Sequence, residues 1–310
     1  MTIDTFLQNL LNALQWGSFY AIIAVGFSIV YGVLLLVNFA HGDIFMAGAY
    51  FAYFIGTLLL NKFEMQLPFA LPGWAVLSIT LTLTMALTAL LAVSIERIAY
   101  RPLRQKGAHR LYVVITALMI GLFLEYANVA TLGARDRPFP ELVESVPFRI
   151  GAVYATNVKV GVIVISIAVM LLLALFVQRT KWGMAMRAIS YDRLAVPLMG
   201  VSVDRIIVIT FAIGGSMAAL AGVLYGTAYP ILKFNMGVLI GWKAFVSAVV
   251  GGIGSIRGAV VGGFLLGFLE IFVAAILPST YRDLITFSLL LLILAVRPTG
   301  LFGVARRTKV

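Results

Sequence analysis

The chain contains no cysteine. Disulfides, thiolate nucleophiles and Cys-ligated metals are therefore excluded. It has two histidines, His41 and His109, and no His/acid set spaced for a metal. Charge is scarce too. Asp, Glu, Lys and Arg make up 11% of the residues, against about 25% in soluble domains. Acid is the scarcer sign, with 12 Asp and Glu against 23 Lys and Arg, a formal net charge of +11. In a chain this apolar, such an excess reflects Lys and Arg in cytoplasmic loops rather than a nucleic-acid surface. There is no GxxxxGK followed by Ser or Thr, no HExxH and no GxSxG. A phosphate loop, a zinc hydrolase site and a serine nucleophile elbow are thus absent. Neither intrinsic enzyme activity nor a resident cofactor is expected.

What the chain does have is apolar length. Of its 310 residues 62% are hydrophobic, and mean hydropathy is +1.05. A crossing helix needs about 20 apolar residues, so several spans leave little room for a soluble domain. Apolar runs fall at about 10–37, 44–61, 74–95, 111–132, 160–177, 206–228, 238–252, 258–277 and 284–296. The reading is an all-α polytopic membrane protein of eight or nine helices. The piece at 238–252 is short and carries Lys243, so it is read as a full span or as a broken or re-entrant segment. The stretch MTIDTFLQNLLNALQ has no basic region or cleavage-like site and is read as leading into the first helix. Lys62 to Gly73, with two prolines, reads as a loop. Gly133 to Lys159, with Pro138, Pro140 and Pro147, reads as an external loop with strand-like pieces over 148–153.

Positive charge sets the expected orientation. Arg97, Arg101, Arg104, Lys106 and Arg110 cluster in one stretch. Arg179, Lys181, Arg187, Arg193 and Arg205 cluster in a second, and Arg297, Arg306, Arg307 and Lys309 in a third. The segment before the first run carries only Asp4. The positive-inside rule then puts the three clusters in the cytoplasm and the N-terminus outside.

Two Gly-bearing breaks echo each other, NFAHGDIFMAGAY in one half and GGIGSIRGAVVGG in the other. Paired interruptions of this kind occur in transporters built from repeats, with the solute path near the breaks. The chain is thus read as one permease domain, 1–310, of two loosely repeated halves, 1–159 and 160–310. Gly258 to Gly267 reads as a close-packing stripe. For Gly251 to Ser255, backbone freed by the break is either buried in protein or faces a water-filled path. Asn38 is expected to cap a helix, with His41 in the headgroup zone. Glu96 is expected to cap a helix end beside Arg97. Glu125 and Glu270 lie deeper, where a charged group needs a partner; neither partner is identifiable from the sequence.

The segment 179–205 is too polar for a bilayer and too ordered in pattern for a plain loop. Trp182, Met186, Ile189 and Tyr191 offer an apolar anchor between Gly183 and Gly200, with Arg187 and Arg193 as a charged rim. Such a helix lies flat on a membrane or docks on a partner.

The stretches NFAHGDIFMAGAY, SIERIAYRPLR, WGMAMRAISYDRLAVPLMGVSVDRI, KAFVSAVVGGIGSIRGAVVGGFLLG and RPTGLFG cover nearly the whole chain. Over them it resembles the LivH-type permease subunits of bacterial branched-chain amino acid ABC importers. The resemblance implies the transmembrane domain of an ABC importer in the bacterial inner membrane. It also implies partners: a LivM-like second permease, two ATP-binding cassette ATPases and a periplasmic binding protein. The segment 179–205 then corresponds to the element that docks on the ATPase. The expected coupling residues are Gly183, Met184, Arg187, Ala188, Asp192, Ala195, Leu198 and Gly200. The translocation path is expected along Asn38, His41, Gly42, Gly251, Gly252, Gly254 and Ser255. Related permeases carry urea and short amides, so the solute stays open between these and amino acids. A secondary transporter is the remaining alternative.

Overall fold

In the computed structural model, residues 2–303 are described except 64–71, 152 and 194. Most of the proline-bearing loop after residue 62, the basic residues at 306–309 and position 194 of the polar segment lie outside that set. Helices make nearly all of it. They are α1 (Ile3–Leu34), α2 (His41–Leu58), α3 (Gly73–Ile95), α4 (Arg101–Gln105), α5 (Arg110–Leu132), α6 (Asn157–Arg179), α7 (Lys181–Tyr191), α8 (Val203–Ala228), α9 (Met236–Gly251), α10 (Ile256–Ile276) and α11 (Arg282–Val296). Four short strands are β1 (Arg137–Pro138), β2 (Pro147–Ile150), β3 (Val153–Thr156) and β4 (Ile231–Leu232). Seven helical stretches among the described residues are long and apolar enough to cross a membrane, α3 and α4 counting as one of them. Helix α9, at 16 residues, rises about 24 Å, short of a hydrocarbon core of about 30 Å.

Local chemistry starts most of these helices. Thr2, Thr156, Thr180, Ser202 and Ser255 each accept a backbone N–H of the first turn of α1, α6, α7, α8 and α10, satisfying donors that a helix start leaves free. At the end of α1, Leu35 takes a left-handed conformation (φ 57°) and its N–H closes on the Tyr31 carbonyl at 2.8 Å. Glu96–Tyr100 forms a widened π-type turn that carries α3 straight into α4. The predicted break at 95 is therefore a continuation, and Glu96 is internal to a helix rather than its cap.

Burial separates the helices. Of an 18-residue apolar window, 83% is buried in α1 and 72% in α8, against 17% in α5 and 22% in α6. The first two form the centre, with α2, α3, α9 and α10 packed around them. Small residues set the distance of closest approach. A Cβ on Gly263 would run into the backbone of Ala21, and one on Gly267 into that of Gly17. On the other face of α10, a Cβ on Gly262 would meet the Ser247 carbonyl and one on Gly258 the Gly251 carbonyl. The glycine stripe read from the sequence is thus a packing device that holds α10 between α1 and α9.

One end of the bundle carries the strands. The expected strand-like piece is an antiparallel hairpin, β2 with β3, in which Phe148 faces Ala155. The side chain of Gln8 bonds both backbone groups of Tyr154, at 2.9 and 3.1 Å, so α1 begins against this hairpin. Strands β1 and β4 pair Arg137 with Leu232 nearby.

Candidate functional site

At the opposite end of α6 the chain turns sharply into α7. Thr180 makes the corner: its hydroxyl donates to the Phe176 carbonyl at 2.7 Å and accepts from the Gly183 N–H at 3.1 Å. Gly183 is required there, because a Cβ would overlap the backbone of Val177. Helix α7 is strongly amphipathic. Gly183, Met186 and Ile189, three apart, are buried. Met184, Arg187 and Tyr191 face outward, Met184 being 62% and Tyr191 88% exposed. The Arg187 guanidinium donates to the Gln178 carbonyl at 3.2 Å, which holds it along the end of α6.

After α7, Asp192 accepts the Ala195 N–H at 3.1 Å and so shapes the turn into the 3₁₀ segment Val196–Met199. Val196 points in; Leu198 and Met199 are more than three-quarters exposed. Gly200 ends the turn at φ 76°, a left-handed angle that suits glycine. The expected docking residues therefore divide. Met184, Arg187, Asp192, Leu198 and Gly200 lie on the surface, Ala188 and Ala195 are half-buried, and Gly183 is internal. Of the expected apolar anchor, Met186 and Ile189 grip the protein, while Trp182 and Tyr191 are outward.

Beside α7, charge ties α3–α4 to α8. Glu96, fully buried, bonds Arg104 at 2.8 Å. Arg104 bonds Asp204 at 2.7 Å, and Arg101 bonds Asp204 at 3.1 Å. Two of the five basic residues at 97–110 are thus braces between helices, Arg104 mostly buried and Arg101 partly exposed. The sequence signal was available, since Glu96 and Arg104 are eight apart. The kinship of Asp204 to them was not, because it is a hundred residues away.

The two breaks meet other chains of contact than those expected. Asn38 does not cap α2; its Oδ1 accepts from the Tyr100 hydroxyl at 2.7 Å. His41 is not at a headgroup level of exposure but 1% exposed. Its ring lies 4.7 Å from that of Phe27 and fills the space that the missing Cβ of Gly26 leaves. The Nε2 atom has no hydrogen-bond partner among the described residues. Gly42 packs against Gly237 and Gly241 at the start of α9. In the second break, Gly252 and Gly254 have φ of 110° and 91°, and Ser255 caps α10. Gly254 lies against Tyr31 and Gly32, so the second break touches the end of α1. The carbonyls freed at Val250 and Gly251 accept from Leu301 and Phe302 at 2.8 and 2.9 Å. Thus the RPTGLFG stretch folds back onto the second break and satisfies it, a use for that segment that its sequence did not indicate.

Glu270 finds its partner in Lys243, and Glu270 also accepts from the Tyr20 hydroxyl at 2.6 Å. Lys243 further bonds Asp283 at 2.9 Å. One charged cluster therefore joins α1, α9, α10 and α11, and the lysine that made 238–252 look unlike a span is neutralised inside it. Glu125 makes no ion pair among the described residues. No group of three or more His, Cys, Asp or Glu that could hold a metal occurs among them.

Against known proteins, residues 9–294 match the family model described as branched-chain amino acid transport system / permease component. The chain is 39% identical to the high-affinity branched-chain amino acid transport system permease protein BraD of Pseudomonas aeruginosa, over 96% of each chain. It is 36% identical to the corresponding LivH protein of Escherichia coli, again over 96% of each. It is also similar to the ribose import permease protein RbsC of Haemophilus influenzae, 24% identical over 92% of this chain and 83% of that one. No solved structure matches.

Proposed function

Because the chain belongs to the family of branched-chain amino acid transport permease components, we propose that it imports branched-chain amino acids as one subunit of an ATP-driven importer. Its partners in this reading are a second, LivM-like permease, two ATP-binding cassette ATPases and a periplasmic binding protein that delivers the solute. ATP is hydrolysed by the partners, since this chain has no phosphate loop. The names of its relatives at 36–39% identity support the solute.

The observation that carries the coupling role is α7. Its inward face is anchored by Met186 and Ile189, while Trp182, Met184, Arg187, Tyr191, Leu198 and Met199 form an outward apolar surface with a cation in it. On this reading α7 and the 3₁₀ turn sit in a cleft of an ATPase subunit. Met184, Arg187, Asp192 and Leu198 touch it, Ala188 and Ala195 edge the contact, and Gly183 and Gly200 set the shape of the element. ATP-driven closure of the ATPases moves α7, and the firm corner at Thr180 passes that movement to α6. Coupling of this sort is a difference in free energy between two bundle states, not a chemical step in this chain.

The clusters of Lys and Arg support an orientation with α7 and the C-terminus in the cytoplasm and the N-terminus in the periplasm, in a bacterial inner membrane. The solute path runs by the two breaks, with Asn38, His41 and Gly42 on one side and Gly251, Gly252, Gly254 and Ser255 on the other. That each break separates two packed helices, α1 from α2 at the first and α9 from α10 at the second, supports two repeated halves within one domain.

The test is Arg187→Glu in the importer reconstituted in proteoliposomes with its partner subunits. ATP hydrolysis should persist while leucine uptake falls about tenfold or more, the size of effect expected for reversing a charge at a contact. Membrane insertion should be normal. Unchanged coupling would move the docking surface to 97–110. Strong uptake of urea without leucine would overturn the solute.

A further inference from the structure

At the hairpin end of the bundle a cavity of about 700 Å³ opens between the start of α1, the start of α6, the end of α8 and the loop after β1. That volume lies in the range of small-molecule pockets, about 300–1,000 Å³. Lys159 and the α7 corner are at opposite ends of α6, about 30 Å apart along the helix. The cavity is therefore remote from the docking element, and Gln15 on its wall lies about 25 Å along α1 from the end of that helix, which both breaks adjoin.

Its walls sort by chemistry. Lys159 lines it; the ammonium donates to Asn12 Oδ1 at 2.8 Å and pairs with no carboxylate among the described residues. A lysine has three donors, so two remain for a ligand. Gln15 is 4% exposed, lines the same cavity and makes no hydrogen bond among the described residues. Its amide keeps contact with the cavity and is not sealed off from it, so a polar ligand there would supply a hydrogen-bond partner. Glu141 of the loop also lines the cavity, as an exposed acid without an ion pair among the described residues. Trp16 and Tyr229, their rings 5.0 Å apart, Phe139 and Leu142 supply apolar surface to the same cavity.

We propose that this cavity is a binding site for a zwitterionic α-amino acid with a branched aliphatic side chain. Lys159 and Gln15 receive the carboxylate, Glu141 faces the ammonium, and Trp16, Tyr229 and Leu142 hold the side chain. The site is where the chain first takes solute from outside, before the breaks. The choice of amino acid rests on the transport reading; the presence of an unpaired cation, an unpaired acid and an aromatic pair on one cavity does not.

The absence of cysteine from this chain makes a direct test possible. Ser145, which lines the cavity, is changed to Cys in the complete reconstituted importer, and maleimide labelling of this chain is followed. Leucine should slow labelling about tenfold, as expected for a site held by a charge-assisted hydrogen bond. Leucinamide, which lacks the carboxylate, and urea should not. In S145C combined with Lys159→Met, protection by leucine should vanish; with Lys159→Arg it should return. Val143→Cys serves as a second reporter should S145C fail to assemble. Protection unchanged by Lys159→Met, equal protection by leucinamide, or none by leucine in an importer that takes up leucine would overturn the site while leaving the transport reading standing. An importer of unsubstituted chains that takes up no leucine would overturn both.

Discussion

Replacing Glu270 by Ala is expected to lower stability by about 3–5 kcal/mol, the size seen when one partner of a buried ion pair is removed. The reason lies in what stays behind. The carboxylate is 5% exposed and Lys243 12%, so the ammonium loses its principal partner in a place where water barely reaches. The Tyr20 hydroxyl loses its acceptor as well. Asp283 still reaches Lys243, but it is 52% exposed and screened by solvent, so it offsets only a small part. Thermal unfolding of the purified chain in detergent, followed by tryptophan fluorescence, measures this. The double variant Glu270→Ala with Lys243→Met should recover most of the loss, since the stranded charge is gone. If the single and double variants melted together, the cluster would be only a neighbourly arrangement of charges.

The second large effect is expected at Gly263. Changing it to Val should separate α1 from α10, because the new Cβ overlaps the Ala21 backbone and backbone within a packed helix has nowhere to move. The cost should be at least about 3 kcal/mol, the upper end for overpacking, and the folded yield should drop steeply. Gly161→Ala is the matching control. A Cβ there meets nothing within 4 Å, so its effect should be a stabilisation of up to about 1 kcal/mol through helix propensity. Equal melting temperatures for the two variants would show that the glycines are not the reason α1 and α10 lie so close.

Much of this is legible in the sequence. Apolar runs found the long helices, since a span has to be both long and apolar. The proline-rich stretch with strand-like residues at 148–153 is indeed the hairpin β2–β3. The spacing of Met186 and Ile189 against Arg187 marked α7 as a two-faced helix, because a period near 3.6 is a local property of the chain. Three readings at expected helix ends went astray for one shared reason. Asn38, His41 and Glu96 were each judged by their neighbours in sequence, which suggested caps and headgroups. Their real neighbours are Tyr100, Phe27 and Arg104: Phe27 comes from the preceding helix packed against α2, and Tyr100 and Arg104 are positioned by the π-type turn that lets α3 continue.

The sequence by itself therefore determined that this is a helical membrane protein, roughly where its helices run, and which segment is too polar for lipid. Those properties depend on the composition of contiguous residues, and water or lipid reads them one segment at a time. Only the tertiary structure decided that α1 and α8 form the centre, that Lys243 answers Glu270, that the RPTGLFG stretch closes the second break, and that Lys159 and Glu141 face one cavity. Each of these depends on groups far apart in the chain meeting at a few ångströms, and helix packing through glycine contacts, rather than any local preference, sets which groups meet.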